Sequence, residues 1–373
     1  MEADLRRAKQ YSKHKTQLLI IRLLLTAAFL VIVLFSDMSL LLRDIAANWS
    51  RNFYVQVGFY LIILAGVDYL LFAGVDFYSG FLVEHKFQLS NQTVLGWLIR
   101  HIKEGLLGLT MLLIAGEILY FFLRHFPNIW WLPVTAAWLL FTIGLGKITP
   151  VLIIPLFYKC VPLAGSQLKE RLLKLGENCG VKIEQVFEIR LSKDTEKANA
   201  AVAGLGKGRR ILLGDTLLKK YSDEEIEAIF AHELGHVRLS HTLKTIGFGT
   251  ASALVCFYLT SLLFKTGTGL CGFNHIYDIA AFPLLAIIAM IAGLVLTPIQ
   301  NAYMRHLEKQ ADVFALGQVQ DKQSFISAIR KLGEQNLSDP SPNRLVELFF
   351  YTHPPISERL RYAGKKSEKC LES

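Results

Sequence analysis

Long apolar runs alternate along the chain with segments that mix polar and apolar residues at shorter periods. The apolar runs fall near residues 18–35, 53–76, 105–123, 132–154, 242–264 and 279–303. Each approaches the roughly 20 residues a helix needs to cross ~30 Å of hydrocarbon. Trp and Tyr gather at their ends, as in "NIWWLP" and "FYVQVGFYL", where amphipathic rings suit the membrane–water boundary. A soluble core accommodates one such run, not six. The pattern therefore predicts about six transmembrane helices. The first run follows the basic "RRAKQYSKHK", as in a signal peptide, but it is longer than a typical h-region. No small-x-small cleavage site follows in "VLFSDMSL". It reads as a retained span, with Arg22 near its start snorkelling to the interface.

The pattern changes at 157–241. There "AGSQLKERLLKLGENCG" has helical periodicity, with Gly180 as its C-terminal cap. "QVFEIRL", "NAAVAGL" and "RRILLGD" read as short strands, rich in branched residues and bounded by Gly and Asp. "GLGKG" at 204–208 leads into a strand rather than a helix, which makes it a hairpin turn and not a phosphate loop. "YSDEEIEAIFAHELGHVRLS" reads as a helix, with Ser222 as N-cap and Glu225 completing a capping box. The expected fold is an α-helical polytopic membrane protein with a cytoplasmic α+β domain carrying a small sheet. Its regions are 1–156 with four spans, 157–241 as a catalytic segment, 242–304 as a transmembrane hairpin, and 305–373 as a second catalytic segment.

Charge orients this arrangement. The formal net charge is +9, and Lys and Arg crowd the N-terminus, 157–241 and the segment after 304. The short connections 124–131 and 265–278 hold one basic residue each. Positive-inside bias then puts the N-terminus, 157–241 and the C-terminus in the cytoplasm, which six spans satisfy. The scattered basic residues lack an aromatic-studded groove pattern, so nucleic acid is not an expected partner; membrane lipid is. The cysteines at 160, 179, 256, 271 and 370 have no CxxC spacing, which excludes a zinc ribbon and a disulfide framework. "CLES" at the C-terminus has Glu372 where a prenylation signal is usually aliphatic, and reads as a chance match. Among charges in or near the spans, Asp76 and Lys147 suit span ends, whereas Asp68 and Glu117 point to a cavity.

The candidate chemistry lies in "AIFAHELGHVRLSH". His232 and His236 are one helical turn apart on one face, which suits two nitrogens on a tetrahedral zinc. Glu233 beside them is placed to act as general base on a water at an open position. A third ligand in the order HExxHxxGxxH is excluded, because Leu239 and Thr242 hold the required positions and His241 comes one residue early. A carboxylate from a separate helix is the remaining route. "HLEKQADVFAL" supplies Glu308 as ligand and Asp312, one turn on, as acceptor for the other ring nitrogen of a ligand histidine. Two spans separate His236 from Glu308, so both return to one side of the membrane. One Zn2+ per chain is expected.

Together "AHELGH", "EKQAD" and "THPPISERL" resemble the type-I CAAX prenyl protease family of membrane-integral zinc endopeptidases. "FLVEHKFQLSNQT", "ITPVLIIPLFYKCVPL" and "KANAAVAGLGKGRRILLGDTLL" extend the likeness over most of the chain. The resemblance implies a cytoplasm-facing site opening into a water-filled chamber. It also implies cleavage near the C-terminus of a peptide or protein substrate, typically in a prenylated tail. It assigns His353 to the oxyanion, Arg359 to pairing with Asp312 or another site carboxylate, and Asn199 and Ala200 to a strand edge that pairs with substrate backbone. The six spans fall one short of the seven described for eukaryotic members. The alternatives are a heat-shock-type quality-control metalloprotease and, from another class, a zinc-binding scaffold or transporter without catalysis.

Overall fold

The computed structural model describes residues 2–163, 167–183, 185–204 and 210–371. Among the described residues six helices are long and apolar enough to cross a membrane: Asp4–Phe35, Phe53–Lys86, Val94–His125, Trp131–Phe157, His241–Leu270 and Ile279–Gln318. Each contains one of the apolar runs, and most extend beyond it. In chain order the first half consists of α1 (Glu2–Phe35), α2 (Met38–Trp49), α3 (Phe53–Phe77), α4 (Val83–Lys86), α5 (Val94–His125), α6 (Trp131–Ile148) and α7 (Ile154–Phe157). Single π-helical turns, Tyr78–Leu82 and Thr149–Ile153, join α3 to α4 and α6 to α7. Pro150 in the second turn has no N–H to give, so the α-helical ladder must widen there.

The helices outrun the apolar segments because their amphipathic extensions pack against the rest of the protein. Residues 78–86, between the second and third apolar runs, are helical and carry Glu84, whose carboxylate receives Tyr11 Oη at 2.7 Å, Lys15 Nζ at 3.0 Å and Lys197 Nζ at 2.9 Å. The loop that follows lies along 191–197: Asn91 N–H donates to Asp194 O at 3.1 Å, and Glu196 N–H to Leu89 O at 3.1 Å. One half-buried carboxylate and one strip of backbone thus fasten the helices of the first half to the second half of the chain. Arg22 does not snorkel alone, as it pairs with Asp68 at 2.5 Å and lies 3.6 Å from Asp76. Asp68 lines a largely apolar cavity of about 470 Å³ among the spans, and Glu117 does not. Glu117 Oε2 is instead buried with no hydrogen-bond partner among the described residues.

The second half contains β1 (Cys160–Pro162), α8 (Gln167–Asn178), β2 (Val186–Ile189), β3 (Ala200–Ala203), β4 (Arg210–Gly214), α9 (Asp215–Lys220), α10 (Asp223–Arg238), α11 (His241–Leu270), α12 (Phe282–Gln318), α13 (Lys322–Gln335), α14 (Arg344–Phe350) and α15 (Ile356–Leu371). A four-stranded sheet has the order β1-β2-β4-β3, so β3 is an edge. β2 and β4 pair parallel, and the outer pairs are antiparallel, with Ala203 opposite Arg210. The expected turn at 204–208 joins those two strands, but 205–209 lie outside the described residues. β1, within "KCVPL", was too short to carry a period of its own. Gly180 ends α8 at φ +67°, where a Cβ would be strained.

The core of this half is Leu172, Leu213, Leu217, Ile226, Phe230 and Leu234, all under 2% exposed. It lies between the sheet and α10. The predicted capping box starts α10: Glu225 N–H donates to Ser222 Oγ at 3.3 Å, and Ser222 N–H to Glu225 Oε2 at 2.9 Å. Buried Glu225 also accepts from Lys331 Nζ at 2.7 Å and Ser327 Oγ at 2.6 Å, tying α10 to α13. The cap therefore serves tertiary structure as well as the helix end.

Candidate metal centre

The centre forms where α10 crosses α12, and a glycine allows the crossing. A Cβ on Gly235 would lie 3.1 Å from Ala311 Cα and 3.2 Å from Ala311 O, so the two backbones meet with no room for a side chain. His232 and His236 flank that contact on α10, while Glu308 and Asp312 flank it on α12. Gly235→Val is expected to push the helices apart and lower the metal content of folded protein. Full metal content in that variant, measured by elemental analysis, would show that the close approach is dispensable.

The three proposed ligands converge. His232 Nε2 lies 3.1 Å from His236 Nε2 and 3.2 Å from Glu308 Oε2, and His236 Nε2 lies 3.5 Å from Glu308 Oε1. Ligand atoms held at ~2.0–2.1 Å by a tetrahedral ion stand roughly 3.3 Å apart, close to these separations. Glu308 Oε2 is buried, and among the described residues it has only the His232 and His353 rings near it, at 3.2 and 3.4 Å, with no well-aligned hydrogen bond; a cation there would offset the cost of burying the charge. The donor set of two imidazoles and one carboxylate is chemically suited to zinc. Burial alone would lower the His232 pKa, but the contacts to Asp312 and Glu308 outweigh it and push it up to about 10. Burial, with His232 as a charged neighbour, pushes His236 down to about 4. The two rings thus sit in opposite fields, one beside carboxylates and one beside its fellow imidazole.

Asp312 has no exposed surface and anchors His232, with its Oδ1 2.8 Å from His232 Nδ1. The same carboxylate takes Arg359 in a two-pronged contact, Nε at 2.8 Å and Nη2 at 2.5 Å, and a hydrogen bond from Tyr362 Oη. Of the partners the resemblance implies for Arg359, Asp312 or another site carboxylate, it is Asp312 that it meets; Tyr362, three residues on along the same helix, is an additional donor that the motifs do not mark. His353 Nε2 reaches to 3.4 Å from Glu308 Oε2, and its side chain is 60% exposed. Glu233 points to the sheet: its Oε2 accepts the N–H of Val202 at 3.1 Å. Burial raises the Glu233 carboxyl above the usual carboxylate range.

Asn199 and Ala200 lie with His232, Glu233, His353 and Arg359 along one cavity of about 420 Å³. Gly214 donates its N–H to Asn199 O at 2.9 Å, so by alternation Ala201 and Ala203 face β4 while Ala200 and Val202 turn outward. Asn336, unnoticed in the sequence, brackets Ala198 on the open edge, accepting from its N–H at 2.9 Å and donating to its carbonyl at 3.1 Å. With Val202 N–H held by Glu233, the outward N–H and C=O of Ala200 stand between two occupied positions. The predicted site residues thus fall around one cavity and the adjoining His232–His236–Glu308 cluster, but the Asn199 carbonyl is taken by β4, which leaves Ala200 and not Asn199 with backbone groups turned to the open edge.

Comparison with known proteins agrees with this geometry. The family model described as "Peptidase family M48" matches residues 162–366, and "CAAX prenyl protease N-terminal, five membrane helices" matches 1–159. Those first 159 residues contain four of the long apolar helices. The 12-residue α2 is a further helix there, but at 1.5 Å per residue it spans about 18 Å, too little to cross. An uncharacterized metalloprotease, YhfN, of Bacillus subtilis is 29% identical over 98% of this chain and 86% of its own. CAAX prenyl protease 1 of Saccharomyces cerevisiae is 30% identical over 83% of this chain and 72% of its own. The crystal structure of S. mikatae Ste24p superposes with a TM-score of 0.82 at 27% identity, covering 97% of this chain and 88% of that one.

Proposed function

The chain belongs to peptidase family M48, on its CAAX prenyl protease branch of multi-pass membrane metalloendopeptidases, and from that premise we propose that it cleaves peptide bonds near the C-terminus of its substrates at a single zinc ion. His232, His236 and Glu308 would hold the ion. The observation that carries this reading is the convergence of one ligand atom from each of the three within 4.8 Å of the others, with the two imidazole Nε2 atoms 3.1 Å apart and a glutamate on the same helix turn.

When bound, the zinc supplies Lewis acidity to water and to the scissile carbonyl. Glu233 takes the proton of the attacking water and delivers it to the departing amine. His353, with its side chain 60% exposed and open to substrate, donates to the carbonyl oxygen as it gains charge. Arg359 and Tyr362 fix Asp312, which holds the Nδ1 side of His232 and leaves Nε2 for the metal. The substrate backbone pairs with the outward N–H and C=O of Ala200, a recognition that requires no particular side chain. The neighbouring edge positions are already occupied by Asn336 and Glu233, so pairing is confined to a short stretch next to the cut bond. The basic residues of 157–241 and of both terminal segments support a site that faces the cytoplasm together with both termini.

Purified protein in detergent is expected to contain zinc and to cleave a fluorogenic farnesylated CAAX peptide, with loss of activity on chelation and return on adding zinc. Cleavage of the unprenylated peptide at an equal rate would remove the lipid from the recognition. Zinc with cleavage only of unfolded membrane proteins would move the chain to quality control. Folded protein that takes up no zinc would sink the proposal.

A further inference from the structure

His241 failed as a third ligand in the sequence, yet the structure buries it to 2% exposure against the metal centre. α10 ends at Arg238 and α11 begins at His241. Ser240 between them adopts φ +57°, a left-handed conformation uncommon outside glycine and asparagine. Such strain at a non-glycine residue persists where the surroundings fix it, often beside functional sites. The turn brings the His241 ring back to His236, with the two Nδ1 atoms 3.0 Å apart. On its other side, His241 Nε2 lies 3.1 Å from Gln310 Oε1, and Gln310 Nε2 lies 2.9 Å from His306 Nε2. Gln310 stands on α12, two residues past Glu308.

With the Gln310 amide oxygen turned to His241, the protons along this chain run in one direction. An amide oxygen only accepts, so His241 Nε2 must carry its hydrogen. A neutral His241 then has its lone pair on Nδ1 and accepts there. His236 Nδ1 must therefore donate, which leaves the lone pair of His236 on Nε2, the nitrogen that faces His232 and Glu308. The amide nitrogen of Gln310 completes the order by donating to His306.

We propose that His241, oriented by Gln310, is a positioning residue that fixes the tautomer of His236 and keeps its Nε2 available to the metal. It has no contact with substrate in this role. Asp312 does the same for His232 with a carboxylate, so the two ligand histidines are held by partners of different charge. The inference rests on the zinc reading of the site.

Zinc affinity, measured by chelator competition at fixed pH, tests it. His241→Leu removes the acceptor at similar volume and is expected to weaken binding by about 10–100-fold, the usual effect of losing an outer partner of a metal-bound histidine. His241→Asn puts an amide oxygen near the position of Nδ1 and should restore most of that loss. Gln310→Leu should weaken zinc by a smaller factor, and His306→Phe, at the exposed end, should leave it unchanged. The melting of each zinc-free variant in detergent separates folding from metal binding. Equal affinity in wild type and His241→Leu would overturn the inference, as would an Asn variant no better than Leu. If wild type itself binds no zinc, the metalloprotease reading fails first.

Discussion

Glu233→Gln is expected to retain zinc and full folding while losing about 10²–10⁴ in kcat, the contribution of a positioned general base. The substitution keeps the shape of the side chain and an oxygen that can accept from Val202 N–H, now made at 3.1 Å by the carboxylate. The ligand atoms of His232, His236 and Glu308 are untouched. Only the capacity to take a proton is lost. Because burial disfavours the charged carboxylate, a neutral amide should melt no earlier than wild type in detergent. Parallel zinc analysis and single-turnover cleavage make the test, and Glu233→Asp adds a control that withdraws the base by one methylene. A Gln variant loaded with zinc and cleaving at wild-type rate would remove Glu233 from the mechanism. A Gln variant that loses zinc would make it a determinant of metal binding instead.

What made these assignments possible from sequence is uneven. The six apolar runs were legible because crossing hydrocarbon demands a length and a composition that little else requires. The capping box at Ser222 and Glu225 was legible because it is a local pattern. His232 and His236 share a helix face by period alone, and Glu308 followed from the even number of spans between them. The rest depended on contacts distant in sequence. Nothing local marks Asn336 as the residue that brackets Ala198, 138 positions away, or Glu84 as the acceptor for Lys197. His241 is excluded as a direct ligand by its spacing and lies outside the ligand trio, but no local pattern shows that its Nδ1 lies 3.0 Å from that of His236. The helical extension at 78–86 has no apolar run of its own to mark it; Glu84 there is sheltered by partners from α1 and from the strand-leading segment.

The largest structural effect is expected at Asp312, whose carboxylate serves two purposes that a single variant removes together. Arg359 is 7% exposed, and Asp312 is the carboxylate its two-pronged contact engages. Asp312→Ala leaves that guanidinium buried without its counter-ion, a change that typically costs about 3–5 kcal/mol. It also frees the His232 ring, which should weaken zinc by a further 10–100-fold, roughly. The two effects can be separated. Replacing both members, Asp312→Leu with Arg359→Leu, removes the uncompensated charge and should recover much of the lost stability, since apolar replacements of buried pairs are often neutral. Zinc affinity should remain low in that double variant, because His232 still lacks its partner. Thermal melting of zinc-free protein in detergent reads the first effect, and chelator competition reads the second. Recovery of both in the double variant would mean that Asp312 acts on the metal only through the fold; recovery of neither would mean that Tyr362 and the surrounding packing need the carboxylate itself.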